Sequence, residues 1–274
     1  MRSVLKNAAG GARDDRHRWP MPNFNETDQP HFLFIVTPPY SGSTALAELI
    51  NTSHKTMILQ DRGEGQWLVP GLCEQDRWDP KKNVNYDSVK AVWLSRYQMV
   101  NRLTQHVDVV IEKSPPHMVR LDRIVAMFRD YSLLANNRNP YANCSSILYR
   151  NYKALEIGHK ERLAILGTLA ADWLERSIII RAMIEKFDIP LLTYEQFCDN
   201  PASVLNVLRL PQGVADSINL QAKVKVKDYE PQTISNLNSK QIEKLTSEEI
   251  NSIEGLLKPN KSLLKFFGYE VEWL

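Results

Sequence analysis

The chain has 274 residues, 43% of them hydrophobic and 24% charged, enough for one large domain with a buried core and unlike a disordered or fibrous sequence. Lys and Arg number 34 against 32 Asp and Glu, a formal charge of +2, so no global excess points to nucleic acid and any anion site must be local. Cys73, Cys144 and Cys198 lie far apart with no CxxC pair, which argues against a disulfide scaffold or a zinc site and for reduced thiols.

Residues 1–30 carry Gly10, Gly11, Pro20, Pro22 and Pro30 among scattered charges, which predicts a flexible or loosely docked arm ahead of one domain over 31–274. The arm has basic residues but no apolar stretch of signal-peptide length, and no run approaches a membrane span. A cytoplasmic protein is the expectation. Short apolar runs at Phe32 to Val36, Val107 to Ile111, Ser132 to Ala135 and Ile189 to Leu192 are predicted strands alternating with helical patterns. The fold class that follows is α/β, a single domain with a central parallel sheet flanked by helices. Leu163, Leu166, Ala170, Trp173, Ile180, Met183 and Phe187 recur at helical steps and predict a long core helix over Glu161 to Phe187. Leu121, Ile124, Val125 and Phe128 mark a shorter helix before the third strand. Between 61 and 87, Gly63, Gly65, Pro70, Gly71 and Pro80 interrupt the pattern, so an irregular excursion is expected there. Its Trp67, Trp78 and Tyr86, with Trp93 and Tyr97 beyond, are candidates for an aromatic acceptor pocket, although Trp93 and Tyr97 at helical spacing equally suit packing.

The sharpest local feature follows the first strand: Thr37-Pro38-Pro39-Tyr40-Ser41-Gly42-Ser43-Thr44-Ala45-Leu46. A strand, a tight loop and a helix in this order present unpaired N–H groups to an anion; Gly42 can take positive φ, and Ser43 and Thr44 can cap the helix. A P-loop nucleotidase needs GxxxxGK[ST], and this loop has one glycine and no lysine. It therefore suits a nucleotide phosphate whose reaction does not demand that lysine. The second strand runs into Glu112-Lys113-Ser114-Pro115-Pro116, an acid and a cation at a strand end, where open α/β sheets collect ligands. His117 is an alternative base close by. The third strand delivers Arg138-Asn139-Pro140, whose arginine offers a fork to phosphate, and Ser146 can add a hydroxyl from the helix that follows. His54, His106 and His159 have no metal-ligand spacing, and no metal is expected.

Taken in order, these segments resemble the sulfotransferases that use 3'-phosphoadenosine 5'-phosphosulfate (PAPS). Pro39 to Leu46 is similar to their 5'-phosphosulfate loop, and Arg138-Asn139-Pro140 with Ser146 to their 3'-phosphate element. Glu112-Lys113-Ser114-Pro115, with Arg120 and Leu121, resembles the segment that carries a glutamate base in carbohydrate-type members. Tyr194-Glu195-Gln196-Phe197 resembles a later segment whose tyrosine can lie near the adenine. The resemblance covers about His31 to Pro201; the family's late arginine-lysine-glycine element is missing, with Lys223, Lys225 and Lys227 in its general region and an alternating, solvated lysine strand the simpler reading.

The resemblance implies transfer of a sulfuryl group from PAPS to a hydroxyl or amine, releasing adenosine 3',5'-bisphosphate (PAP). Pro39, Tyr40, Ser41, Gly42, Ser43, Thr44, Ala45, Arg138, Ser146 and Tyr194 would bind the nucleotide, with Glu112 as base and Lys113 and Tyr40 as donors at the sulfuryl group. Tyr40 stands where the family usually carries lysine or arginine, so Lys113 or another cation supplies that charge, or catalysis is slow or absent. The acceptor is a small molecule or carbohydrate, with sugar, lipid, phenol and peptide tyrosine all open, and no nucleic-acid partner is expected. Two other readings are a PAP- or nucleotide-binding protein without catalysis and a nucleotide-dependent phosphotransferase.

Overall fold

The computed structural model describes residues 29–104, 107–226 and 229–270. Strands β1 (His31–Val36), β2 (Thr56–Ile58), β3 (Val109–Glu112) and β4 (Tyr131–Ala135) form one parallel sheet in the order β2-β3-β1-β4. Its register pairs Phe34 of β1 with Glu112 on one side and with Leu133 on the other. All six β1 residues are buried, as a strand covered on both faces requires. Phe32, Phe34 and Val36 point into one core with Trp93 and Phe128, while Leu33 and Ile35 point into a second with Leu46 and Phe197.

Helix α1 (Ser43–Ile50) follows β1, α2 (Tyr86–Thr104) precedes β3, and α3 (Leu121–Val125) precedes β4. After β4 come α4 (Pro140–Asn151), the long α5 (His159–Phe187), α6 (Tyr194–Asp199) and α7 (Ser203–Val207). The C-terminal part adds α8 (Asn238–Ile242), α9 (Ser247–Leu257) and α10 (Lys261–Phe266). The predicted long helix is thus present two residues earlier than its expected start, burying Leu166, Ala170, Trp173 and Ile180. Its left-handed C-cap, Asp188, ends it.

Three expectations change. Ile189 to Leu192 contributes a single parallel bridge, Ala135 to Leu191, rather than a strand. Pro190 has no N–H for a ladder, and at Thr193 the backbone enters the capping box that starts α6. Ser43 and Thr44 do not cap α1: the N-cap is Gly42, and it makes no side-chain hydrogen bond. The third change is β2, whose three residues lie in a stretch where no strand was expected. The arm expected over 1–30 lies, apart from Gln29 and Pro30, outside the described residues, as do His106 and Lys227. Among the described residues the cysteines are free, Cys144 being buried, and no helix is long and apolar enough to cross a membrane.

β1 sends the chain one way, to β2, while β4 sends it the other, to the bridge at Leu191. The connections that leave these parallel strands therefore run to opposite sides between β1 and β4, and a crevice opens at their carboxyl ends.

Candidate functional site

A cavity of about 560 Å³ fills that crevice, lined by Pro39, Tyr40, Gly42, Ser43, Thr44 and Ala45 from the loop after β1. Lys113, Arg138, Ser146 and Tyr194 line it as well. Nearly all of the expected nucleotide-binding residues thus share one cavity. Ser41 is the exception: it is fully buried beneath the loop, where Asn143 donates to its Oγ at 3.3 Å and to the Pro39 carbonyl at 2.8 Å.

The loop is shaped for an anion. Gly42 has φ 79°, and the first bond within α1 runs from the Leu46 N–H to the Gly42 carbonyl at 3.2 Å. The N–H groups of Ser43, Thr44 and Ala45 precede that bond at the positive end of the helix. A β-carbon on Gly42 would lie 2.3 Å from Cδ2 of Tyr194, so the tyrosine ring packs where only glycine fits. Tyr40 is itself left-handed at φ 63°, and its hydroxyl donates to Asn151 Oδ1 at 2.6 Å.

Arg138 is buried at the end of β4, and its side chain is held from several directions. Nε donates to Asn238 Oδ1 at 2.8 Å; Nη1 donates to the Tyr40 carbonyl at 3.1 Å and to Ser146 Oγ at 3.2 Å. The guanidinium lies 4.3 Å from the centroid of the Tyr194 ring. Burial lowers the arginine pKa, against the opposing pull of Tyr194 and Glu195. Burial likewise pushes the Tyr194 phenol up to about 12, with Arg138 opposing, which keeps the ring neutral beside the cation. Its hydroxyl donates to the Ser235 carbonyl at 3.2 Å and accepts from the Leu237 N–H at 3.1 Å. Asn238 was missed by the sequence reading; it also donates to Glu195 Oε1 at 2.6 Å and so joins Arg138 to α6.

At the β3 end the acid and the cation take different positions. Lys113 faces the cavity and pairs through Nζ with Glu64 Oε1 at 3.0 Å. Glu112 is not among the lining residues. Its Oε1 accepts from the Gly65 N–H at 3.1 Å and from the Ser114 hydroxyl, and its Oε2 lies 2.9 Å from Nδ1 of buried His117. The expected base, and the histidine that is its alternative, therefore meet each other off the cavity wall. The carboxylate on the cavity wall is Glu64, inside the irregular excursion.

Glu64 is placed by a pinned turn. The Lys113 N–H donates to the Gly63 carbonyl at 2.8 Å, the Gln66 N–H to Ser114 Oγ at 3.1 Å and Trp93 Nε1 to the Gly65 carbonyl at 3.0 Å. A side chain on Gly65 would meet Leu59 Cδ1 at 2.7 Å, so the turn sits tight against the core. Burial opposes ionisation of Glu64, but the charge of Lys113 and hydrogen bonds from Lys113, Gln66 and Trp67 prevail and hold its carboxyl below the usual range. Burial pushes the Lys113 ammonium down, against the pull of Glu64. The outcome is an ionised carboxylate with an adjacent buried cation.

Of the aromatic candidates only Trp67 lines the cavity, half exposed, with the Arg77 guanidinium 5.7 Å from its ring. Trp93 and Tyr97 are buried in the core, and Trp78 and Tyr86 pack against it. Val224 and Val226 face the cavity whereas Lys223 and Lys225 are exposed, so the side chains alternate as expected, but in place of a strand the segment makes a single isolated antiparallel bridge, Val224 to Gln232.

No protein-family model matches the sequence, and no curated protein matches it significantly. Solved structures do. A sulfotransferase from Alicyclobacillus acidocaldarius superposes with a TM-score of 0.53 at 14% identity, over 88% of this chain and 97% of its own. The sulfotransferase domain of the Synechococcus PCC 7002 olefin synthase gives 0.52 at 17% identity, over 92% and 99%. Sulfotransferase STF9 from Mycobacterium avium gives 0.51 at 13% identity, over 90% and 80%. At these identities the likeness is one of architecture. The chain has the fold of the sulfotransferases.

Proposed function

We propose that the cavity binds PAPS and that the chain transfers its sulfuryl group to a hydroxyl or amine of a small-molecule or carbohydrate acceptor. In this reading the N–H groups of Ser43, Thr44 and Ala45 receive the 5'-phosphosulfate, and Arg138 with Ser146 receives the 3'-phosphate. PAPS supplies an activated sulfuryl group. The acceptor oxygen or nitrogen forms a bond to sulfur while the bond from sulfur to the bridging phosphate oxygen breaks, and the electron pair leaves with PAP. Glu64 takes the acceptor proton, and Lys113 offsets the charge that collects on the departing oxygen. Glu112 positions: it clamps the Gly65 N–H and so fixes Glu64 one residue away.

One observation carries this reading. An anion-binding helix start, an arginine–serine pair 3.2 Å apart and a carboxylate–lysine pair 3.0 Å apart line a single cavity. The fold likeness supports it. Calorimetric titration with PAP, followed by transfer of labelled sulfate from PAPS to an acceptor panel, tests it. Absence of PAP binding overturns it. A second reading, donor binding without transfer, draws on Tyr40, whose hydroxyl is committed to Asn151 and which brings no charge. Saturable PAP binding with no loss of sulfate from PAPS to any acceptor, water included, selects that reading.

A further inference from the structure

A second cavity, of about 460 Å³, lies at the other end of the sheet, against the amino ends of β1 and β4. It shares no residue with the donor cavity. Ser132 on its wall and Arg138 in the donor cavity are separated by roughly 20 Å at the rise of extended chain. Three polar side chains of this second wall are joined in a row. Nδ1 of His31 lies 2.9 Å from Asp130 Oδ1, and its Nε2 lies 2.8 Å from Ser132 Oγ. The strand register brings them together: Phe32 pairs with Tyr131, so His31 falls beside Asp130, and alternation puts Asp130 and Ser132 on the same face as the imidazole. A carboxylate can only accept, so the Asp130 contact places the ring proton on Nδ1 and leaves the Nε2 lone pair to the serine hydroxyl.

Hydroxyl, base and acid in that order, on the wall of a pocket, are the arrangement that makes a serine nucleophilic. His31 and Ser132 are buried from bulk water yet line the cavity, so a bound molecule can reach them. Asp130 is exposed; it holds the tautomer and the ring orientation and lends little charge. The backbone supplies a further part. Among the described residues β4 is the outer strand of the sheet, and the Ala135 N–H points outward to the Pro190 carbonyl at 2.8 Å. N–H groups alternate in direction along a parallel strand, so that of Leu133 turns to the same edge. Leu133 itself lines the cavity, which puts an amide donor one residue after the hydroxyl, as an oxyanion site needs. Phe187 and Leu210 complete an apolar wall opposite these polar groups.

We propose that Ser132 and His31, positioned by Asp130, form a second active site that hydrolyses carboxylic esters of short apolar acids. Ser132 Oγ bonds to the ester carbonyl carbon as its proton passes to His31 Nε2, and the Leu133 N–H receives the oxyanion. The bond from that carbon to the alcohol oxygen then breaks, and the alcohol leaves with the proton from Nε2. Water attacks the acyl-serine, giving a proton to Nε2; the bond to Ser132 Oγ breaks, the serine recovers the proton and the carboxylic acid departs. The acyl chain lies against Leu133, Phe187 and Leu210. This centre needs no nucleotide and stands apart from the donor reading.

An alkyl fluorophosphonate tests this on the wild type, since fluoride leaves as an activated serine oxygen bonds to phosphorus. Peptide mass spectrometry should find the adduct on Ser132, and Ser132→Ala should carry none there. Hydrolysis of p-nitrophenyl butyrate should fall by about a hundredfold or more in Ser132→Ala and in His31→Gln, with melting curves recorded alongside to separate lost chemistry from lost folding. Asp130→Asn should lower kcat by about tenfold or more at an unchanged KM, and Asp130→Glu should recover part of it, a split that a structural role alone does not produce. A wild type that takes no label on Ser132 overturns the proposal, and this result stands even where a variant unfolds. Wild-type hydrolysis by folded Ser132→Ala overturns it equally.

Discussion

Replacing Gly42 with alanine tests the loop geometry most directly, because two separate costs can be worked from it. The backbone at φ 79° and ψ 2° is left-handed, a conformation that costs an L-residue about 1–2 kcal/mol. The added β-carbon would also stand 2.3 Å from Cδ2 and 2.7 Å from Cε2 of Tyr194, far inside contact distance. Either the ring turns away or the loop withdraws, an overpacking cost of about 1–3 kcal/mol. The ring cannot turn freely: its hydroxyl ties Ser235 and Leu237, and its face lies under Arg138. Together these give a destabilisation of about 2–5 kcal/mol. Urea unfolding of Gly42→Ala should show a lower midpoint with an unchanged slope, and calorimetry a PAP affinity at least about tenfold weaker as Arg138 loses its aromatic floor. In a double-mutant cycle with Tyr194→Ala, the steric part disappears and the backbone part stays, leaving a coupling of about 1–3 kcal/mol. An alanine variant with the wild-type midpoint and wild-type PAP affinity would refute both the left-handed geometry and the packing of Tyr194 on the loop.

Arg138→Ala should weaken PAP binding by about 1.5–3 kcal/mol, and Arg138→Lys should not restore it, since an ammonium cannot span Asn238 and Ser146; titration calorimetry reads both. Glu64→Gln should lower sulfuryl transfer by about a hundredfold to ten thousandfold with PAP affinity retained, and transfer at the wild-type rate removes Glu64 as base. Glu112→Gln should act through folding instead: unfolding midpoints should drop by the equivalent of about 1–3 kcal/mol as the clamp on Gly65 and His117 loosens. Stability against pH tests the pairing of Glu64 as well. The Lys113 charge and its neighbours hold the Glu64 carboxyl below its ordinary value of 4.5, so its ionised form stabilises the fold fully above that pH, and the contribution is lost as pH falls through the lower folded value. The stability gap between wild type and Glu64→Gln should therefore be flat above pH 4.5 and close below it; a gap that persists undiminished in stronger acid contradicts the Lys113 pairing.

What the sequence could reveal followed from periodicity. β1 and β3 are buried throughout and stand out as short apolar runs, β4 is buried from Ser132 onward, and α5 repeats its core residues over many turns. β2 stayed hidden because Thr56–Ile58 is too short to establish any period. Arg138 and Ser146 were legible because a strand end and the first turns of a helix fix their separation, whichever residues lie between. Glu64 was not, since the glycine-rich excursion around it has no period and its position depends on contacts to Gly63 and Gly65 from β3. Residue type alone points to Glu112, because it does not show which way a strand end faces. Alternation gives the physical answer: Glu112 follows Val110 into the Trp93 side of the core, and the next residue, Lys113, turns to the cavity.

The C-terminal third carries the weakest sequence signal, yet the site depends on it. Asn238 accepts from Arg138 Nε and donates to Glu195, while Tyr269 donates its hydroxyl to the other oxygen of the same glutamate at 3.1 Å. Burial, with the charge of Glu195 and that hydrogen bond adding to it, pushes the Tyr269 phenol well above its ordinary range, so it remains a donor. Glu195 also accepts from the Asn139 N–H at 2.9 Å, at the N-cap of α4. A half-buried carboxylate thus gathers donors from α4, α8 and Tyr269 around one arginine, and each donor leaves the carboxylate less free to form an ion pair with Arg138 itself. Among the described residues, that arrangement leaves the guanidinium's positive charge uncancelled by a direct salt bridge, although it is fixed in place by neutral groups. For an anion site this is the favourable solution: a carboxylate paired to Arg138 would have to be displaced by the ligand, whereas amide, carbonyl and hydroxyl partners orient the fork and leave its charge available.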